Sequence, residues 1–311
     1  MTNDLLVKLE EAFNNRDLAA LKAMASPKKR KINKNNNFKS VLMLSCNNIK
    51  HLKKIEQLDA DCVMLNLEDG VSPEDKPFAL YLCAVFLSNI YESNKKIVVR
   101  INALDDGGME ELKFLNSFMP DAIRVPKIKY ASDVDSVLQV LDKNIDLHLS
   151  IETKESWLNL AKLKLDDRVK VFYLGILDLF ADMSLSHSLI SPKNPTILYM
   201  LSHFLITCKS MDIKAVSFVY QEFKKLDQFK EWLEVEKSMG YDSKGCISPD
   251  QAKLVNEIFS SEKELIKKAQ KIIKLFELNS QKGITGFSDE EYGFIDEPIY
   301  KGALAYLDSN N

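Results

Sequence analysis

The sequence of 311 residues predicts an α/β fold in which eight short strands alternate with helices. Short apolar runs recur along the chain with amphipathic segments between them, which is the pattern of βα units. Most of these runs are followed by a polar or charged residue, as at the carboxyl ends of strands in a closed parallel barrel. The predicted fold is therefore a (β/α)8 TIM barrel with a C-terminal helical extension that acts as a lid.

The apolar runs place the starts of the eight strands near residues 41, 62, 97, 122, 147, 171, 214 and 244. Helical patterns fill the segments between and after them: 49–58, 74–92, 109–117, 131–141, 154–163, 179–187, 195–211 and 223–238. Gly240 is expected to end the helix after the seventh strand. An open, doubly wound sheet is the alternative, but no glycine-rich dinucleotide or phosphate loop follows any strand.

Three regions are predicted along the chain, with the barrel at residues 40–258. Residues 1–39 form a polar leader, with one or two amphipathic helices in 3–24 and a basic, Asn-rich linker at 27–38. That linker is interpreted as solvated, with an anion-binding arm as the alternative. Residues 259–311 form the extension, with a helix at 261–281, a turn-rich stretch containing three glycines, and a final helix at 299–307. The extension is expected to cover the barrel mouth, to pack on a neighbouring subunit, or both.

Composition excludes several classes of partner. The 42 basic and 45 acidic side chains give a net charge of -3, so the chain lacks the excess of positive charge that is typical of proteins that bind nucleic acid or an anionic membrane. No apolar run has the length needed to span a bilayer. The five cysteines form no CxxC pair and no signal peptide is evident, so a soluble, cytoplasmic protein is expected.

Two acids at the ends of neighbouring predicted strands, Glu152 and Asp178, are the candidate metal ligands. Mg²⁺ suits such a pair because it accepts few protein oxygens and keeps positions open for water and substrate. Mn²⁺ is also accepted by oxygen ligands of this kind. The alternative is that each acid only caps a helix or pairs with a lysine.

Four further charged residues follow predicted strands. Glu68 and Asp69 could orient metal-bound water or hold the nearby cations, although Asp-Gly at 69–70 is also a turn signal. Arg100 offers a planar fork to a carboxylate or an enolate, or forms a structural ion pair with Glu68. Lys127 is an electrostatic candidate, because a lysine among acids keeps its proton and is a poor Schiff-base nucleophile. The four histidines are interpreted as structural or solvated.

In their order and spacing, these segments resemble the citrate lyase beta subunit family, which includes malyl-CoA and citramalyl-CoA lyases and related thioesterases. The resemblance covers residues 40–308 and is carried by Leu67-Glu68-Asp69, Val98-Val99-Arg100-Ile101-Asn102, Val125-Pro126-Lys127, Ile151-Glu152-Thr153, Asp178-Leu179, Met239-Gly240-Tyr241-Asp242 and Ile295-Asp296-Glu297-Pro298.

The resemblance implies a Mg²⁺-dependent barrel, usually a homotrimer, that acts on CoA or acyl-carrier thioesters. It implies that Glu152 and Asp178 bind the metal and that Arg100 contacts a 2-oxo acid and its partner enolate. It also implies that Asp296 is an acid delivered to a neighbouring subunit's site. Ser45 and Asn102 are further candidates for substrate binding.

The implied reaction is a reversible Claisen-type cleavage of a 3-hydroxyacyl thioester into a 2-oxo acid and an acyl thioester. Several positions depart from the family pattern: Ser45, Cys46, Asn66, Leu80, Ser156, Leu177 and Ser248. Two alternatives therefore stay open. One is hydrolysis of an acyl-CoA thioester, and the other is a non-catalytic barrel that binds a metal and an oxo acid.

Overall fold

Eight parallel strands form the central sheet of the computed structural model, which describes residues 3–260 and 263–308, with side chains for 4–260 and 265–308. The strands are β1 (Ser40–Ser45), β2 (Cys62–Asn66), β3 (Lys96–Arg100), β4 (Ala122–Val125), β5 (Asp146–Ile151), β6 (Val169–Leu174), β7 (Lys214–Val216) and β8 (Lys244–Cys246). Their order in the sheet is β7-β6-β5-β4-β3-β2-β1-β8. A parallel bridge between Ser217 and Lys244 joins the two ends. The predicted (β/α)8 barrel is confirmed.

Helices surround the barrel: α1 (Asn3–Asn14), α2 (Leu18–Met24), α3 (Ile49–Lys54), α4 (Lys76–Ser88), α5 (Met109–Leu115), α6 (Ala131–Val140), α7 (Lys154–Leu158), α8 (Ile176–Asp182), α9 (Pro195–Ser210), α10 (Leu226–Met239) and α11 (Pro249–Ile258). The predicted end of the helix at Gly240 is confirmed, since this residue has φ 99° after α10. The prediction of a helix at 179–187 was wrong in register. Helix α8 begins directly after Gly175, and Ser184 has φ 55°, which does not continue a helix.

The barrel interior is apolar on most strands but carries a polar row on β5. Alternate residues of a strand face the same side, and Asp146, His148 and Ser150 of β5 are all buried. Asp146 contacts Lys96 Nζ at 2.9 Å, and His148 Nδ1 lies 3.1 Å from the Tyr173 hydroxyl. The row leads from the amino end of the barrel to Glu152, the next inward position beyond β5.

The basic run at 27–38 is not a solvated linker throughout, so that prediction was partly wrong. Arg30 is buried, and its Nη2 lies 3.6 Å from Asp121 Oδ1 just before β4. Lys34 Nζ contacts Asp146 at 2.8 Å, and Phe38 is buried. The run therefore crosses the amino ends of the strands, where acidic residues hold it.

Replacing Arg30 with leucine is expected to lower the free energy of unfolding by about 1.5–3 kcal/mol, the range for a hydrogen-bonded charged group. Arg30 Nε and Nη1 also donate to the carbonyls of Ile90 and Met119, at 3.1 and 2.6 Å. Urea unfolding measures the change. Lys31→Gln is the matched control, because its pair with Glu92 is exposed and should contribute little. Equal effects of the two substitutions would mean that Arg30 does not anchor this run.

The chain divides between Phe259 and Ser260 into two compact units. The second unit contains α12 (Lys263–Ser280), β9 (Gly286–Asp289), β10 (Gly293–Asp296) and α13 (Glu297–Asp308). The stretch predicted as turns is an antiparallel hairpin, so the extension is not purely helical. Its own small core consists of Ala269, Ile272, Phe276, Ile295 and Ala303. Within the described residues, no helix has the length and apolar character required to cross a membrane.

Candidate active site

A cavity of about 400 Å³ opens where the barrel strands end at their carboxyl termini. Five predicted site residues line it: Ser45, Asp69, Arg100, Glu152 and Asp178. Because they end β1 and β3 or follow β2, β5 and β6, the closure of the barrel brings together residues that are far apart in sequence. Glu68 and Lys127 line an adjoining cavity of about 380 Å³, and Asp69 borders both.

Arg100, the last residue of β3, is the centre of the charge network. Its Nη2 makes an ion pair with Glu68 Oε2 and lies 3.4 Å from Asp69 Oδ2 and 3.9 Å from Glu152 Oε2. Arg100 and Glu68 are both buried, whereas the Asp69 side chain is largely exposed. A buried guanidinium shared among three carboxylates has a fixed position, with little freedom to follow a ligand.

Burial raises the pKa of the Glu68 carboxyl against the opposing charge of Arg100, and the neighbouring Glu152 adds to the rise. Lys127 Nζ, which is about half exposed, lies 3.3 Å from Glu68 Oε1. Partial burial lowers the pKa of Lys127, but Glu68 outweighs this and the net shift is upward. Lys127 therefore holds its proton at neutral pH, which suits an electrostatic role.

The Glu152 carboxylate is held on one side and open on the other. Its Oε1 accepts a hydrogen bond from the backbone N–H of Lys127 at 2.8 Å, a geometry helped by the left-handed φ of 53° at Lys127. Gly175 passes so close that a Cβ at this position would lie 2.6 Å from Glu152 Oε2. The glycine thus leaves room for the carboxylate, and Oε2 remains available to the cavity.

Asp178 lies in the first turn of α8 rather than at the end of β6, four residues beyond the strand. It is exposed, and its carboxylate makes no hydrogen bond or ion pair with any residue that the structure describes. Glu152 and Asp178 thus line one cavity, where Glu152 Oε2 has only a long 3.9 Å ion pair with Arg100 and the Asp178 carboxylate has no partner among the described residues. Mg²⁺ commonly uses one or two carboxylates and retains several waters. The donor set therefore fits a magnesium ion. Within residues 4–260 and 265–308, no cluster of three or more His, Cys, Asp or Glu forms a fuller cage.

Two further predicted residues have local structural contacts. The Asn102 amide donates to Glu111 Oε1 at 2.6 Å and to the Leu67 carbonyl at 3.2 Å, and Asn102 does not line the cavity. It braces the loop after β3 against α5. Asp296, in the second unit, accepts a hydrogen bond from the Ile299 backbone N–H at 3.2 Å, so it caps α13.

Sequence reasoning did not identify four polar residues that line the cavity: His51, Asn66, Arg124 and Gln221. Arg124 was hidden inside an apolar run of β4, where its signal was a charge in the middle of a strand. Burial, followed by the proximity of Lys54, lowers the pKa of His51 and so disfavours its protonated form. In the sequence His51 has no partner at triad or zinc spacing, so no signal marks it as a site residue.

The fold and the charged residues at the carboxyl ends of its strands define a β/α-barrel protein with a cavity where barrel enzymes have their active sites. The model of the HpcH/HpaI aldolase/citrate lyase family matches residues 39–249. The chain belongs to this family.

Curated relatives within the family carry different activities. A (3S)-malyl-CoA thioesterase of Cereibacter sphaeroides (strain ATCC 17029 / ATH 2.4.9) is 27% identical over 241 residues, covering 77% of this chain and 83% of that protein. Mitochondrial citramalyl-CoA lyase of Homo sapiens is 28% identical over 287 residues, with coverage of 85% and 83%. Citrate lyase subunit beta of Leuconostoc mesenteroides subsp. cremoris is 25% identical over 273 residues, with coverage of 84% and 89%.

Solved structures share the fold at lower identity. The CitE protein of Mycobacterium tuberculosis, in complex with magnesium, acetoacetate and coenzyme A, has a TM-score of 0.69 at 20% identity, covering 88% of this chain and 98% of that one. A citrate lyase from Burkholderia xenovorans has a TM-score of 0.74 at 15% identity, with coverage of 87% and 90%.

Proposed function

We propose that this protein is a Mg²⁺-dependent carbon–carbon lyase that cleaves a 3-hydroxyacyl-CoA thioester into a 2-oxo acid and an acyl-CoA. The observation that carries the proposal is one cavity lined by two carboxylates, Glu152 and Asp178, beside the buried cation Arg100. Relatives named citramalyl-CoA lyase and citrate lyase subunit beta support this activity. Mn²⁺ is expected to substitute, because it takes the same oxygen ligands.

Glu152 Oε2 and the Asp178 carboxylate would hold the metal, which when bound supplies Lewis-acid polarisation of the oxo acid's carbonyl. Cleavage transfers the proton of the 3-hydroxyl group to a general base and breaks the bond between carbons 2 and 3. The electron pair of that bond moves to the thioester oxygen as an enolate, and the protonated base then supplies a proton to carbon 2. Both reacting oxygens carry more negative charge in the transition state than in the substrate.

Arg100 is placed to offset this developing charge, because Glu68, Asp69 and Glu152 fix its guanidinium at the cavity wall. Glu68 and Lys127 form a second ion pair behind it. We propose that these residues hold the arginine fork in place before substrate binds, so that little reorganisation accompanies the reaction. Ser45 lines the same wall and is proposed to contact the substrate.

The second candidate function is hydrolysis of the same kind of thioester, which relatives named (3S)-malyl-CoA thioesterase favour. One assay separates the two. Purified protein with Mg²⁺ is given malyl-CoA, citramalyl-CoA or a 3-hydroxyacyl-CoA whose oxo-acid part carries a second carboxylate, and products are identified by mass spectrometry. A lyase yields equal amounts of 2-oxo acid and acyl-CoA, whereas a thioesterase yields the intact hydroxy acid and free CoA. No turnover of any of these substrates would contradict both functions and favour a non-catalytic binder.

Activity is expected to fall on acidification at a higher pH than an ordinary glutamate would give, because the pKa of Glu68 is raised. The proposed active form has Glu68 ionised, so activity is present above the folded-state pKa and lost below it. The free energy of unfolding changes in the opposite direction. Because the pKa of Glu68 is raised in the folded state, the folded protein binds this proton more readily than the unfolded chain, and protonation of Glu68 on acidification favours the folded state. The pH profile of kcat/KM measures the acid limb. A limb unchanged in Glu68→Gln would assign it to another group.

A trimer with Asp296 supplied to a neighbouring subunit remains part of the proposal, supported by the family resemblance of Ile295-Asp296-Glu297-Pro298. Asp296→Ala and Arg100→Ala proteins, each inactive alone, are expected to regain part of the activity when their subunits exchange. Native mass spectrometry verifies the exchange. No recovery after verified exchange would leave Asp296 with only its observed role as the cap of α13.

A further inference from the structure

Arg124 lies at the boundary between the cavity and the barrel interior. It follows Ile123 on β4, pairs in register with Arg100 on β3, and lines both the main cavity and a small space below it. Arg124 is 6% exposed. Its Nε donates to Ser150 Oγ at 2.8 Å, and its guanidinium carbon lies 4.3 Å from the centroid of the Tyr173 ring.

Arg124 differs from the other buried cations of the barrel in its partners. Those cations each contact a carboxylate: Arg30 with Asp121, Lys96 with Asp146, Arg100 with Glu68 and Lys244 with Glu236. Among the residues that the structure describes, no carboxylate oxygen lies within 4.0 Å of an Arg124 nitrogen. Its neutral partners are a hydroxyl, the Met64 sulfur at 3.2 Å and an aromatic face.

A buried charge without an opposite charge in direct contact is unfavourable. Burial lowers the pKa of Arg124 to about 10 and the nearby Arg100 contributes to this shift, while Glu152 and Glu68, which lie beyond ion-pair distance, oppose it only in part. The guanidinium nevertheless remains protonated at neutral pH. Since Arg100 is already paired with Glu68, Arg124 is the cation of this cavity that an incoming anion can neutralise.

We propose that Arg124 binds a carboxylate of the ligand, and that this cavity therefore selects acids with two carboxylates. The inference rests on the proposed function, in which one carboxylate of the acid binds beside Glu152 and Asp178. A second carboxylate, at the far end of a short chain, reaches Arg124 at the bottom of the same cavity. A monocarboxylic acid of equal length leaves the guanidinium unpaired, and a site built to pair a group rejects the analogue that lacks it.

Malate and 2-hydroxybutyrate of the same configuration form a matched pair of unreactive probes, since both are four-carbon 2-hydroxy acids and only malate has the second carboxylate. Calorimetry with Mg²⁺ present is expected to show malate binding at least about tenfold more tightly to the unaltered protein. Arg124→Gln should weaken malate about ten- to a hundredfold, the range for a hydrogen bond to a charged group, and leave 2-hydroxybutyrate nearly unchanged. Arg124→Lys should keep part of the preference.

Arg168→Gln is the control, because it removes the same charge from a residue that does not line the cavity. Thermal unfolding of each variant verifies folding, and Arg124→Lys carries the test if Arg124→Gln does not fold. A malate preference that persists without Arg124, equal weakening of both acids, or no binding of either acid would overturn the inference. If malate binds more tightly than 2-hydroxybutyrate in an Arg124-dependent way but no thioester is turned over, only the proposed function is contradicted. If a thioester is turned over but malate is not preferred, only this inference is contradicted.

Discussion

Replacing Arg100 with lysine is expected to lower kcat about a hundredfold or more, with a much smaller change in KM. The guanidinium meets Glu68 and also lies close to Asp69 and Glu152, so its position depends on a planar fork with several donors. Lysine keeps the charge but presents a single ammonium on a flexible stem. It cannot hold all three carboxylates and also face the developing charge, so the loss falls on the transition state.

Steady-state kinetics on the thioester that is turned over provide the measurement. Arg168→Lys is the matched control, because Arg168 also forms a forked ion pair, with Asp166, and does not line the cavity. A variant changed only in KM would mean that Arg100 binds the ground state and the transition state equally. A variant with both parameters unchanged would remove Arg100 from the site.

The main charged residues of this site could be predicted from the sequence because the carboxyl ends of the strands in a parallel barrel lie at the same end of the barrel. Once β2, β3 and β5 are located, Glu68, Arg100 and Glu152 must approach one another, whatever their separation along the chain. Strand starts were located to within about two residues, because apolar runs with β-branched residues are distinctive. The position of each apolar run is therefore the strongest signal that the sequence carries, whereas the exact end of a strand is less distinct, as Asp178 in α8 shows.

Other features depend on packing that a linear pattern does not contain. Asn102 lies in one of the motifs that resemble the family, but its side-chain amide donates a hydrogen bond to the buried Glu111 carboxylate instead of facing the cavity. Arg124 stands in an apolar run, and only the barrel geometry turns it inward beside Arg100. Arg30 belongs to a basic run that is typical of solvated linkers, yet Asp121 draws it into a buried position. In each case one contact between distant residues overrides the local composition.

Converting both Glu152 to glutamine and Asp178 to asparagine is expected to abolish stabilisation by Mg²⁺. A ligand present at a hundred times its dissociation constant stabilises the folded state by about 2.7 kcal/mol, and this increment should vanish in the double variant. Amides keep the size of the side chains but remove both negative charges from the cavity. Glu152 Oε1 also accepts the Lys127 N–H, so a modest loss of stability without metal is expected in addition.

Thermal unfolding and calorimetry with and without Mg²⁺ separate these two effects. Asp182→Asn is the control on the same helix, since it removes one carboxylate that accepts the Lys154 N–H and does not line the cavity. It should retain the full response to Mg²⁺. Because Asp178 has no protein partner in the described chain, Asp178→Asn alone should weaken metal binding without lowering stability in the absence of metal. Unchanged Mg²⁺ binding in the double variant would place the metal elsewhere, and the lyase chemistry proposed at this cavity would lose its Lewis acid.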